Sequence, residues 1–211
     1  MLFVSIGIDC DVANFLNKYN LRKASLPFDW NVSYNGVSKC IENDFKNFTN
    51  PLSADRINED DIYFHHDFID IATVAAKTDH DKYHRRCERL LNLFKTAETT
   101  GEFVLFIRKG HLCYHHEEQK GKYKNIMCDV EDAKRLSGIL RSKYPLLKYK
   151  IIVVLGCAKC GVKDVDNNDE TLSPLSALSA LSAVSVYNNV NGGTFEECML
   201  KIVITEIREH N

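Results

Sequence analysis

No stretch of this 211-residue chain stays apolar for long. The longest apolar runs, Leu2 to Ile8 and Ile151 to Leu155, fall far short of the roughly 20 residues that span a bilayer, so no transmembrane helix is expected. An excess of charge of one sign is missing too. Lys and Arg number 27 against 29 Asp and Glu, a net charge of -2, so no global field favours nucleic acid or an anionic membrane. The N-terminus has neither a basic segment nor a long apolar one and carries Asp9, so no signal peptide is expected. GxGxxG and GxxxxGKS/T are both absent, which leaves nucleotide-phosphate binding by either usual loop unsupported. Aromatic residues are not interleaved with a basic patch, which argues against stacking on single-stranded nucleic acid.

What is present is core-forming material. At 45% hydrophobic residues the chain is long enough to bury one medium domain. Eight cysteines are scattered without an export signal, a usage that fits reduced thiols in a cytosol-like compartment. A cytoplasmic location follows as the expectation, the host's cytoplasm if the chain is viral.

Phe3 to Ile8 reads as a strand ended by Asp9, and Val12, Ala13, Phe15, Leu16 and Tyr19 then recur at helical spacing. Leu21 to Trp30 is extended around Pro27, and Val37 to Phe48 is again helical in period. Ile62 to Ile69 fits either a strand or a buried loop. From Asp79 to Thr96, Tyr83, Cys87, Leu90, Leu91 and Phe94 mark an amphipathic helix. Phe103 to Ile107 and Tyr149 to Leu155 are apolar on both faces and are separated by a helical pattern over Val130 to Leu140. That arrangement predicts buried parallel strands joined by a crossover. Thr194-Phe-Glu-Glu197 reads as a capping box opening a last helix, with Cys198, Met199, Ile202 and Val203 on its apolar face. The expected fold is a single α/β domain with a mostly parallel sheet flanked by helices, a papain-like α+β arrangement being the alternative. Residues 1–160 form its α/β catalytic-like part. Residues 161–185 are a low-complexity insert or linker, and residues 186–211 a C-terminal helix packing on the same domain.

Cys10 follows a strand and precedes a helix, a position that lowers a thiol pKa and favours a nucleophile; it equally suits a small buried side chain. A thiolate needs a base and an orienting group. The candidate bases are His65, His66, His111, His115 and His116, and His66 is followed by Asp67 between Phe64 and Phe68. The one tryptophan, Trp30, follows Asp29 in Leu21-Arg22-x-x-Ser25-x-Pro27-Phe28-Asp29-Trp30. There Asp29 either pairs with Arg22 in a packing corner or serves as an orienting carboxylate. Arg108, at the end of a strand, sits where parallel sheets deliver ligand contacts, or is simply a solvated strand end. Cys157-Ala-Lys-Cys160 is a lone CxxC without the further ligands of a zinc site, so neither a metal nor a cofactor is expected.

Ser5-Ile-Gly-x-x-Cys10-x-x-Ala13, the Leu21 to Trp30 block, Phe64-x-His66-Asp67-Phe68, Tyr83-x-Arg85-Arg86 and Leu105-Phe-Ile-Arg108 together resemble one family. It is the papain-like cysteine peptidase family of unknown function found in bacteria and large DNA viruses. The resemblance covers at most residues 3 to 155. It implies Cys10 as nucleophile and His66 as base. Here that histidine follows 56 positions after the cysteine, against roughly 130–150 in ordinary papain-like order, so an open-sheet hydrolase layout competes with a papain fold. The reading is a thiol hydrolase acting on a protein or peptide substrate, with Asp29 or Asp67 orienting the imidazole. N–H groups near Asp11 and Val12 hold the oxyanion, and Arg22, Trp30 and Arg108 contact substrate. The alternatives are a non-catalytic binding or host-interaction module, and a transferase using Arg22 and Arg108 to hold a sugar or nucleotide anion.

Overall fold

The structure is a computed structural model that describes residues 1–34, 36–69, 74–110, 128–155, 183–188 and 194–210. Its elements run β1 (Leu2–Ser5), α1 (Asp11–Lys18), β2 (Val32–Ser33), α2 (Val37–Glu42), β3 (Ile62–Tyr63), α3 (Val74–Thr100), β4 (Val104–Gly110), α4 (Asp129–Lys143), β5 (Tyr149–Leu155), β6 (Val184–Asn188) and α5 (Phe195–His210). Four strands form one sheet in the order β1-β4-β5-β6, and every neighbouring pair is parallel. The expected α/β architecture is the observed one.

Side chains alternate between the two faces of a strand, and that alternation divides the core. Val4, Val104, Phe106, Ile151 and Val153 face α2, α3 and α4, whereas Leu105, Ile107, Ile152 and Val154 face α1 and α5. Burial on both sides is why residues 104–107 of β4 and 151–155 of β5 read as unbroken apolar runs. In α3 the residues Tyr83, Cys87, Leu90, Phe94 and Ala97 are spaced four and three apart, and all are buried as one stripe. Below the sheet edge, the two-residue strands β2 and β3 pair antiparallel. They are backed by Phe28, Phe45, Phe48, Phe64, Phe68 and Tyr83, whose rings meet mostly edge to face.

Two segments differ from their sequence pattern. α2 stops at Glu42 instead of running to Phe48, because the chain turns through positive φ at Asp44, Phe45 and Asn47. That turn carries Phe45 and Phe48 into the aromatic cluster, and Lys143 Nζ donates to the carbonyls of Ile41 and Glu42 that the early stop exposes. β6 arises from Val184 to Asn188, just beyond the low-complexity run, and extends the sheet beside β5. The CxxC at 157–160, the low-complexity residues up to 182 and the histidines at 111, 115 and 116 lie outside the described residues. Among those described, no helix is long and apolar enough to cross a membrane.

Candidate active site at the carboxyl edge of the sheet

In parallel sheets the loops at the carboxyl ends of the strands gather ligand sites. β1 continues past Ser5 as an irregular strand, with Ile6 and Ile8 donating to Ile107 and Lys109, and Lys109 donating back to Gly7. Gly7 has φ +95°, and a Cβ there would stand 2.0 Å from Ser33 Oγ and 2.6 Å from an Arg108 nitrogen. Only glycine fits so close a crossing. Cys10 then occupies the N-cap position of α1, half-buried, and its side chain makes no capping bond. Asp9 takes that duty, its Oδ1 accepting the Asp11 N–H at 2.9 Å.

The electrostatics at Cys10 correct the sequence expectation. Burial pushes the thiol up, and the carboxylates of Asp9 and Asp11 push it further; Lys109 opposes them without prevailing. Lys109 Nζ contacts Asp9 Oδ2 at 3.0 Å and also bonds Asp11, so both flanking charges are partly neutralised. The resting group is a thiol rather than the thiolate expected from a helix N-terminus.

His65 and His66 follow β3 with ring centroids 3.5 Å apart, His66 exposed and His65 partly buried. Burial, His66 and Arg56 lower the His65 pKa, so the imidazole is neutral near pH 7, while Asp9 acts on it in the opposite direction. The Ser33 N–H donates to the Ile8 carbonyl at 2.8 Å and β2 pairs with β3, which puts the histidine segment after β3 on the same edge as the Cys10 turn. Arg56 fixes the segment by donating to the carbonyls of His65 (3.1 Å) and Asp67 (3.3 Å) and to the Tyr63 hydroxyl (3.1 Å). Asp67 gives Oδ1 to Lys82 at 2.6 Å and Oδ2 to the Tyr83 hydroxyl at 2.7 Å. Burial raises its carboxyl pKa, but those two bonds outweigh burial and hold it below the usual range. Asp67 thereby pins the histidine segment to α3, and no imidazole donates to it among the described residues.

Asp29 is buried in a knot of its own motif. Arg22 Nε and Nη2 both donate to Asp29 Oδ2, at 3.0 and 2.6 Å, and the Leu26 N–H joins them at 2.8 Å. Burial raises the Asp29 carboxyl, with Leu26 and Arg22 pulling the other way. Arg22 also donates to Ser25 Oγ and lies 5.5 Å from the Trp30 ring centroid. The pairing of Asp29 with Arg22 read from sequence is formed.

Arg108 is 1% exposed. Its guanidinium bonds Asp129 Oδ1, the Ile6 and Ser33 carbonyls and Ser33 Oγ, which ties β1, β2, β4 and α4 together. It is not a solvated strand end. Arg56 and Lys109 carry no sequence signal, and Arg86 enters the sequence pattern only as a motif residue without a role. Arg86 lies 4.9 Å from the Tyr83 ring, acts electrostatically on both Asp29 and Asp67, and has a buried Nη1 without a hydrogen-bond partner. Its signal was its place in Tyr83-x-Arg85-Arg86.

Residues 1–62 match the family described as "Putative papain-like cysteine peptidase (DUF1796)". This is the family that the residue pattern resembles. The matched span holds Cys10, Arg22, Asp29 and Trp30 and ends before the histidines. An uncharacterized protein of Acanthamoeba polyphaga mimivirus is 31% identical over 139 aligned residues, covering 51% of this chain and 60% of the viral protein. The chain therefore spans less than two thirds of that relative's length. No solved structure gives a significant match.

Proposed function

We propose that the chain is a thiol hydrolase cleaving an acyl, peptide or isopeptide bond in a protein or peptide substrate. The supporting observation is that Cys10 stands half-buried at the carboxyl edge and head of α1, relieved of capping by Asp9, on the edge to which the Ile8–Ser33 bond and the β2–β3 pair bring the histidine segment. Because the thiol rests protonated, attack requires general-base assistance. His66, the exposed member of the pair, takes the proton as sulfur bonds to the carbonyl carbon. The oxyanion is held by first-turn N–H groups, which lack intrahelical partners. Since Asp9 already occupies the Asp11 N–H, that role passes to Val12 and Ala13. The imidazolium then protonates the leaving group, and water hydrolyses the thioester. Asp67 and Asp29 act as positioning residues through α3 and Arg22, Arg22 and Trp30 border the substrate, and Arg108 holds the site's backbone. The enzyme works in the cytoplasm, the host's if the chain is viral.

The raised thiol also favours a second reading, a binding module in which Cys10 only packs a pocket. Incubation of the full chain with a peptidyl vinyl sulfone, read by mass spectrometry at each cysteine, separates the two. The hydrolase reading expects an adduct on Cys10 that His66→Asn suppresses. Equal labelling of other cysteines, or Cys10 labelling indifferent to that change, overturns it.

A further inference from the structure

At the opposite, amino-terminal end of the sheet, α5 closes with Glu206, Glu209 and His210, residues three and four apart that share a helix face. One ligand atom from each lies within 4.8 Å of the others. Such a cluster alone means little, but Glu206 is 0% exposed and its Oε2 is buried with no hydrogen-bond partner. Its other oxygen is satisfied, Oε1 accepting from Lys150 Nζ and, at 3.4 Å, from the Tyr187 hydroxyl. Oε2 points instead toward His210, 3.9 Å from Nδ1. A buried acceptor left open is destabilising unless something fills it.

We propose that Glu206 Oε2, Glu209 and His210 form a binding site for a first-row divalent cation of the zinc type. Two carboxylates and an imidazole are a mixed oxygen and nitrogen donor set of that class, with a fourth position open to water. The C-terminal carbonyls of α5 add a negative field. Ligand atoms each about 2.0–2.2 Å from zinc stand about 3.4 Å apart, so the two exposed side chains need move only slightly. His210 Nδ1 now donates to the Glu206 carbonyl at 2.9 Å and exchanges that bond for the metal, while its ring, packed 3.8 Å from the Phe103 ring centroid, already stands at the site. Lys150 bonds Oε1 alone and leaves Oε2 open to the metal.

The site is remote from Cys10, and its test is independent of the hydrolase reading. The reduced full chain, stripped with a chelator, is titrated with Zn2+ against a chromogenic competitor, alongside Glu209→Gln and His210→Ala. Glu209 is exposed, so Glu209→Gln should keep the metal-free melting temperature and reads the site without the packing that His210→Ala removes. The expected result is one equivalent bound by the parent chain that each variant weakens at least as much as the roughly 10–100-fold lost with an outer-shell partner. A Co2+ spectrum should show d–d bands for this equivalent without thiolate charge transfer, which separates it from cysteine binding. Equal zinc stoichiometry and affinity in parent and variants, or loss of the equivalent only when cysteines are blocked, overturns the site.

Discussion

Lys109 Nζ lies 3.0 Å from Asp9 Oδ2, so the last turn of β4 is tethered to the turn that presents Cys10. The thiol's protonation is set first by burial and then by this local contest of charges. Asp9→Asn keeps an oxygen to cap the Asp11 N–H but removes a negative charge, so it should lower the Cys10 pKa and speed alkylation by iodoacetamide at pH 7. Lys109→Met should do the reverse, since Lys109 is the cation opposing the two carboxylates. The pH dependence of alkylation, resolved for each cysteine by mass spectrometry, measures both; an unchanged Cys10 profile in Asp9→Asn would refute the charge argument.

The buried pair of Arg108 and Asp129 has a different consequence. Both side chains are essentially inaccessible, at 1% and 0% exposure, so removing one leaves a charge uncompensated in the core. Arg108→Met or Asp129→Leu alone should cost about 3–5 kcal/mol, and the two together much less than the sum. Urea unfolding midpoints check this, and additive losses would show that the pair does not act as a unit.

Much of this architecture is legible in the sequence, for reasons visible in the structure. Residues 104–107 of β4 and 151–155 of β5 are apolar at every position because the sheet is covered on both faces. The Thr194–Glu197 capping box forms reciprocally, with Thr194 N donating to Glu197 Oε2 at 2.8 Å and Glu197 N to Thr194 Oγ1 at 3.2 Å. The end of α2 is not legible, since Phe45 and Phe48 serve an aromatic cluster at the same spacing that would suit a helix. Nor is the fate of Arg108, which depends on Ser33 and Asp129 arriving from distant parts of the chain. The thiol direction failed differently. Burial, the larger cause, is invisible along the chain, whereas Asp9 and Asp11, which add to it, stand in plain view beside Cys10.

Asp67 should shape the acid limb of stability. Its carboxyl pKa is held below the unfolded value of about 3.9. The folded state therefore releases this proton more readily, and the resulting stability is present above that value and lost as pH falls through the lower folded pKa. Asp67→Asn should destabilise by about 1.5–3 kcal/mol near pH 7, the worth of a charge-assisted hydrogen bond, and by less as pH falls toward 2. Thermal melts across that range test the sign. A loss that grows with acidification would mean the carboxylate is not stabilised by Lys82 and Tyr83.

The chain's single tryptophan allows the Arg22–Asp29 knot to be tested optically. Arg22 meets Asp29 through Nε and Nη2, donates to Ser25, and lies 5.5 Å from the Trp30 ring centroid. Lysine retains the charge but offers neither the fork nor a planar surface. Arg22→Lys should therefore leave Asp29 with fewer donors, cost about 1–3 kcal/mol, and shift the Trp30 emission as its cation partner withdraws. Asp29→Asn should give a similar spectral shift by loosening Arg22 from the other side, and the double variant should add little to either. Two emission changes that simply sum would mean that Arg22 and Asp29 influence Trp30 separately, and the motif would not be the single rigid unit that its hydrogen bonds describe.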